Sequence, residues 1–292
     1  MRIVVLTSQP VPRTASVTAD CLDLLRSWGA RVDVVLPETL VDVTSLAPDA
    51  DLYLLKSVND HVVSLAHALA AGGGRCVNTA DVARLCRDRV AATASLAAHS
   101  VPVPQTWTTR DLPALEELLQ DGPLVLKPGR VGAGTGSRVV WDVEELLDLS
   151  PTEQPWLVQR LQETSARDRK LYRIGEQVFG VKRRWPATSL LEKQGEPFTV
   201  TEELHRITDR VGAALGTDLF GVDVVETTTG PVVVDVHHFP GFKGVPDGAL
   251  RLADYIFAAA AGSEPEVLQD DSHQNNSHPN HSHQNHSGRG RA

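Results

Sequence analysis

Leu219-Phe220-Gly221-Val222-Asp223-Val224-Val225 is followed, a few residues on, by Val232-Val233-Val234-Asp235-Val236-His237. Both runs are apolar and β-branched, which predicts two strands. The polar stretch Thr227-Thr228-Thr229-Gly230 between them predicts a hairpin. Each strand carries a carboxylate where an aliphatic residue is expected. A carboxylate inside an apolar strand is costly unless it is paired or bound to a cation. Residues two apart in a strand share a face, so Asp235 and His237 are expected to point the same way, with Asp223 across from them. A divalent cation that also bridges phosphates would resolve the charge. The structural alternative is an ion pair with a nearby arginine. Phe239-Pro240-Gly241-Phe242-Lys243-Gly244 comes next, a tight turn expected to hold the strand end against a bound substrate. His238 is expected on the opposite face from His237.

Two further groups lie upstream. Leu124-Val125-Leu126-Lys127 predicts a strand ending in a lysine, and the glycine-rich run 129–136 follows Pro128. Gly129, Gly132, Gly134 and Gly136 free the backbone to approach a ligand, and their N–H groups can cradle phosphate oxygens. No glycine-lysine-serine or -threonine triplet opens a helix here, so the run is not a P-loop; it lies between two predicted strands. Lys170-Leu171-Tyr172 and Lys182-Arg183-Arg184 flank a hairpin signal at Gly175-Glu176. A basic cluster on strands can clamp an anionic substrate or a transferring phosphoryl group.

The rest of the chain places these groups. Residues 2–6, 32–36, 51–55 and 75–77 read as strands, with helices over 14–28 and 62–71. This β-α-β-β-α-β order predicts a small parallel sheet over residues 1–78. A long helix is expected from Asp81 to His99. The extended Val101-Pro102-Val103-Pro104 follows it. Then come a strand at 104–108, a helix at 111–120, a helix at 143–149 and the strand Trp156–Leu161, so that a compact α+β unit spans about 101–160. A metal and substrate lobe is expected over about 161–262. Thr201–Leu215 predicts a helix opened by a capping box, and Gly248–Ala261 the last helix. Residues 263–292 are rich in His, Asn, Gln and Ser and are expected to be disordered by composition. His273, His278, His281, His283 and His286 lie there. Such a tract is either a solvated tail or a Ni²⁺ or Zn²⁺ binder.

Composition narrows the functional classes. The 292 residues carry 28 Lys+Arg against 37 Asp+Glu, a formal charge of −9, which argues against a nucleic-acid coat. The apolar runs are far shorter than the roughly 20 residues of a membrane span, and the start does not resemble a signal peptide, so a cytoplasmic location is expected. Cys21, Cys76 and Cys86 have no metal spacing and are expected to be reduced, buried thiols.

Taken together and in this order, these motifs resemble the ATP-grasp superfamily, over about Asn78 to Ala260. The resemblance implies an α/β fold of ATP-grasp architecture: a small parallel-sheet N-terminal domain, then an ATP-grasp domain over 79–262 whose two α+β lobes enclose the nucleotide. It implies that Lys127 binds phosphate, that Arg89 stands where many members have a second nucleotide-binding lysine, and that Gly132, Gly134 and Gly136 close over ATP. Gln159, Arg160 and Leu161 fall where the adenine-binding hinge would lie. Asp223, Asp235 and His237 match the metal triad for Mg²⁺ or Mn²⁺, His237 departing from the usual oxygen donor. Arg183, Arg184 and Lys170 would be the catalytic cations. Two branches are similar: ribosomal-protein glutamate ligases and related carboxylate–amine ligases, and inositol polyphosphate kinases. The reading adopted is the ligase acting through an acyl phosphate, with the kinase as alternative. A non-catalytic metal-binding protein working through the His-rich tail is the third. The expected partner is a small anionic substrate (an amino acid, a peptide carboxylate or a sugar phosphate), with no nucleic acid and no membrane. Many members of the superfamily are dimers or tetramers, so a homo-oligomer is an expectation too.

Overall fold

The computed structural model describes residues 1–11, 16–36, 38–132, 136–149, 154–162, 167–184 and 195–262. β1 (Arg2–Leu6), β2 (Arg31–Val35), β3 (Leu52–Leu55) and β4 (Cys76–Val77) form a parallel sheet in the order β2-β1-β3-β4. Parallel strands need crossovers. Helices α1 (Val17–Ser27) and α2 (Asp60–Ala71) supply two of them, capped by the side chains of Ser16 and Asn59.

The single helix expected from Asp81 to His99 is in fact two. α3 (Ala80–Arg87) ends and α4 (Arg89–Ala98) begins at Asp88, which is extended at φ −90°, ψ 96°. Two interactions favour the break. The Asp88 carboxylate accepts the N–H groups of Val90 and Ala91 at 3.1 and 3.0 Å, capping α4. The backbone around it pairs with the loop after Lys127: Arg89 N–H donates to the Gly129 carbonyl at 2.8 Å, and Val131 N–H to the Arg87 carbonyl at 2.9 Å.

β5 (Thr106–Thr109), β6 (Leu124–Pro128), β7 (Arg138–Val140) and β8 (Trp156–Arg160) form an antiparallel sheet in the order β5-β8-β6-β7. Its own core joins Leu115, Leu124, Leu126, Val140, Leu146, Trp156 and Val158. The helix expected at 111–120 is one 3-10 turn, Pro113–Leu115, and the short α5 (Glu116–Leu119). Arg160 Nη1 takes the carbonyls of Leu118 and Gly122 at this helix end. The short α6 (Val143–Leu147) follows β7.

β9 (Arg167–Ile174), β10 (Gln177–Arg184), β11 (Glu196–Phe198), β12 (Leu219–Thr227) and β13 (Gly230–His237) make the third sheet, antiparallel, in the order β11-β10-β9-β12-β13. Both hairpins lie where the turn residues placed them. α7 (Glu202–Leu215) covers one face through Leu204, Ile207 and Val211. Its N-cap is Thr201, which accepts from Leu204 N–H. The residue at N3 is therefore leucine, and the reciprocal half of a capping box is missing. α8 (Gly248–Ala261) packs on the other face and on α1. Among the described residues, no helix is long and apolar enough to cross a membrane. Cys21 and Cys86 are buried as expected, whereas Cys76 is only partly so.

Candidate active site

The site lies where β6, the α3–α4 junction and the β12–β13 hairpin meet. Asp223 and Asp235 stand directly opposite each other in the antiparallel register. Immediately beyond them the register slips, since Asp223 pairs with Asp235 but Val224 pairs with Val233. The extra residue is Val234, a β-bulge. Val233 and Val236 are thus both buried in one core although three positions apart. The Val234 carbonyl accepts the Lys127 ammonium at 2.7 Å. Lys127 thereby reaches from the central sheet to the hairpin, and only 7% of it is exposed. Burial lowers its pKa; the negative charge of Asp235 opposes this and the positive charge of Arg89 adds to it.

Arg89 opens α4 with its side chain toward the same point. Its Nη1 donates to the Pro128 carbonyl at 2.9 Å, and its Nε lies 3.5 Å from Asp235 Oδ2. Gly129 sits between these elements because a Cβ there would be 2.7 Å from the Pro155 carbonyl oxygen. At Gly132 (φ +81°) a Cβ would meet nothing within 4 Å, and the same holds at Gly136. Gly134 falls outside the described residues.

On the hairpin, Asp223 is held on both sides. Lys170 Nζ bonds its Oδ1, and His237 Nε2 lies 3.3 Å from its Oδ2. Burial alone would raise the Asp223 pKa, but the His237 hydrogen bond and charge and the Lys170 charge outweigh it and hold it well below the usual carboxylate range. Burial alone would lower His237, and the Asp223 bond and the charges of Asp223 and Asp235 reverse this, so its pKa is raised. A pocket of about 320 Å³ opens beside them, lined by Lys170, Tyr172, Arg183, Asp223, His237 and Phe239 among others. Arg183 Nη2 donates to Tyr172 Oη at 2.7 Å and to the Lys243 carbonyl at 3.1 Å. β10 runs on to Arg184, whose side chain falls outside the described residues.

The hinge residues divide. Gln159 is buried. The N–H groups of Arg160 and Leu161 donate to the carbonyls of Gln105 and Pro123 at 3.0 and 3.1 Å. The Arg160 side chain also points away from the hairpin, since its guanidinium ends α5 and lies over the Trp107 ring at 5.5 Å. The Arg160 side chain thus braces the sheet, while the adenine contact expected of the hinge is a backbone one. The sequence assigned no role to Tyr172, Val234 or the Lys243 carbonyl. Only Tyr172 left a signal, lying two positions from Lys170 on the same strand face.

A divalent cation makes its own demands on this donor set. Asp223 and Asp235 are facing carboxylates, as a hard cation requires. Among the described residues no three His, Cys, Asp or Glu side chains form a metal cage. Imidazole is the poorer donor for Mg²⁺. The two carboxylates fit, then, and His237 is a partner of Asp223.

The model of the RimK-like ATP-grasp domain matches residues 86–257, more than half of the chain and all of the site just described. The chain belongs to the RimK-like ATP-grasp family. A probable alpha-L-glutamate ligase of Rhodopirellula baltica (strain DSM 10527 / NCIMB 13988 / SH1) is 27% identical to it over 214 residues, 66% of this chain and 53% of that one. This RimK-like chain thus spans about half the length of that relative. The alpha-aminoadipate–LysW ligase LysX of Saccharolobus solfataricus is 24% identical over 67% of this chain and 77% of that one. Among solved structures, a RimK domain protein ATP-grasp from Sphaerobacter thermophilus DSM 20745 superposes with a TM-score of 0.70 at 26% identity, over 87% of this chain and 99% of that one. D-alanine–D-alanine ligase from Bacillus anthracis, complexed with ATP, gives 0.71 at 17% identity over 90% and 98%, a likeness of fold. The α/β architecture expected from the motifs is therefore the one found.

Proposed function

We propose that this chain is an ATP-dependent carboxylate–amine ligase acting on a small anionic substrate through an acyl phosphate. The observation that carries the reading is the set of cations around two facing carboxylates: Lys170 pairs with Asp223, Lys127 reaches the bulge next to Asp235, and Arg183 lines the same pocket as Lys170 and Asp223. The ligase names of its relatives favour this over the kinase reading.

In this reading a substrate carboxylate oxygen attacks the γ-phosphorus of ATP and ADP leaves. The lone pair of an amine then attacks the acyl carbon, phosphate departs with the bonding electrons, and the nitrogen loses a proton. Lys127 exchanges the Val234 carbonyl for phosphate oxygens, with Arg89 beside it. Arg183 and Lys170 neutralise charge on the transferring group, where fixed cations in a water-poor site are worth most. Residues 129–136 cover the phosphates and exclude water, which would hydrolyse an acyl phosphate. Asp223 and Asp235 would hold Mg²⁺ or Mn²⁺, which when bound screens the β- and γ-phosphate charge.

The test is product stoichiometry. The protein is given ATP, Mg²⁺ or Mn²⁺ and a small-metabolite extract, with Lys127→Met as background. One free phosphate per ADP, together with a condensed product seen by mass, is expected. The variant should lose about 100- to 1000-fold in turnover, the usual cost of one charge-stabilising donor. Phosphate retained on the product would replace the ligase by the kinase. Equal turnover in Lys127→Met would remove the phosphate-binding role.

A further inference from the structure

We infer that Tyr172 is a positioning residue: its hydroxyl and the Lys243 carbonyl form a socket that fixes the Arg183 guanidinium toward an anionic group in the pocket. This rests on the reading of that pocket as the site of an anionic substrate.

Arg183 is held at one end of its guanidinium. Two oxygens, from different elements, converge on one nitrogen, Nη2. Among the described residues the buried Nε has no hydrogen-bond partner and no carboxylate pairs with this guanidinium. An arginine whose described partners are neutral oxygens at one end keeps its charge and remaining donors for another anion. Both Arg183 and Tyr172 line the pocket, with Lys170 and His237 on the same wall.

The socket is itself held rigidly. Tyr172 is 3% exposed, and its ring packs on Phe242 with centroids 5.6 Å apart. Phe242 meets Phe239 edge-on at 5.8 Å, and the Lys56 ammonium lies 4.5 Å from the Phe239 ring centre. Phe242 adopts φ +47°, a left-handed conformation that non-glycine residues rarely take, and it is fully buried. Burial of the ring over-determines that strained turn, and the turn presents the next carbonyl, Lys243, to Arg183. Opposite Tyr172 in the register lies Gly221, where a Cβ would be 2.9 Å from Pro240 and 3.4 Å from the Tyr172 ring. The sequence thus clears room for the ring and the turn to close on each other. Burial raises the Tyr172 pKa to about 12, with Arg183 acting the other way, so the hydroxyl is neutral and accepts at physiological pH.

The test uses the full chain labelled with ¹⁵N-arginine, with inorganic phosphate as the anion probe. Arg183→Lys assigns the Arg183 Nε–H signal. Tyr172→Phe keeps the ring on Phe242 and removes one oxygen, and thermal unfolding is followed in parallel. The expected result in Tyr172→Phe is faster rotation of the Arg183 guanidinium and about tenfold weaker phosphate binding, the scale of one hydrogen bond to a charged group. An unchanged Arg183 signal overturns the socket. A changed signal with wild-type phosphate affinity overturns its purpose. If the wild-type protein and Arg183→Lys take up phosphate equally, the anion reading of the pocket fails first, and this distinguishes the two.

Discussion

Lys56 stands at the end of β3, half-buried against the Phe239 ring. Among the described residues it has no carboxylate partner. Burial pushes its pKa down to about 8, with nearby Cys21 acting slightly the other way. A folded-state pKa below the unfolded value means that the unfolded chain binds more protons between about pH 8 and 10.5. The penalty is therefore full below pH 8 and vanishes as pH rises through that window. Lys56→Met keeps the stem and removes the charge, but it also forfeits a cation–ring contact of about 0.5–1 kcal/mol. The net expectation at pH 7 is a gain of about 1–2 kcal/mol, since each tenfold loss of proton affinity on folding costs about 1.4 kcal/mol and local relaxation removes part of it. Urea unfolding at pH 7 and pH 10 checks it. A gain that does not shrink at the higher pH would show that charge is not the cause.

At the scale of elements, the break at Asp88 is what brings Arg89 and the loop after Lys127 together. Asp88→Ala removes the cap of α4 and should cost about 1 kcal/mol, while Asp88→Asn, which still accepts, should cost much less. Because Arg89 is the first residue of α4, the alanine variant is also expected to weaken binding of a non-hydrolysable ATP analogue several-fold. Calorimetric unfolding and a nucleotide titration separate the two effects; lost stability with unchanged nucleotide affinity would free Arg89 from its assigned role. This break also shows what the sequence could not convey. Arg87-Asp88-Arg89 contains no proline or glycine, and an aspartate inside an amphipathic pattern is compatible with a continuous helix. The break is imposed by backbone pairing with Gly129 and Val131, about forty residues away. The bulge at Val234 is hidden in the same manner, because three consecutive valines read alike in either register. By contrast the hairpins, the parallel β1–β4 sheet and the facing of Asp223 and Asp235 were legible. Turn residues, period-two patterns and a charge inside an apolar run are local signals.

At the scale of the molecule, the cores do not follow the chain order of the motifs. One buried cluster joins Ile3, Val5, Leu52 and Leu54 of the N-terminal sheet to Tyr172, Leu219, Phe242 and Ile256. Arg75 clamps the same seam, with Nη2 donating to the carbonyls of Ala260 at 2.7 Å and Asp51 at 3.0 Å. Trp28 meets Phe257 edge-on at 5.8 Å. The sheet of β5 to β8 instead has a core of its own. Residues 1–78 and the β9–β13 lobe should therefore open together, and the β5–β8 lobe, which carries Lys127 and the glycine-rich run, should open separately and at lower free energy. Native-state hydrogen exchange reads this directly. Amides of β1, β3, β9 and β12 are expected to share one opening free energy, and those of β6 and β8 a smaller one. Nucleotide should narrow the gap, because Lys127 bound to phosphate would tie the small lobe to the rest. A single opening free energy for all three sheets, with or without nucleotide, would mean that the small lobe is no lid, and that water must be kept from an acyl phosphate by other means.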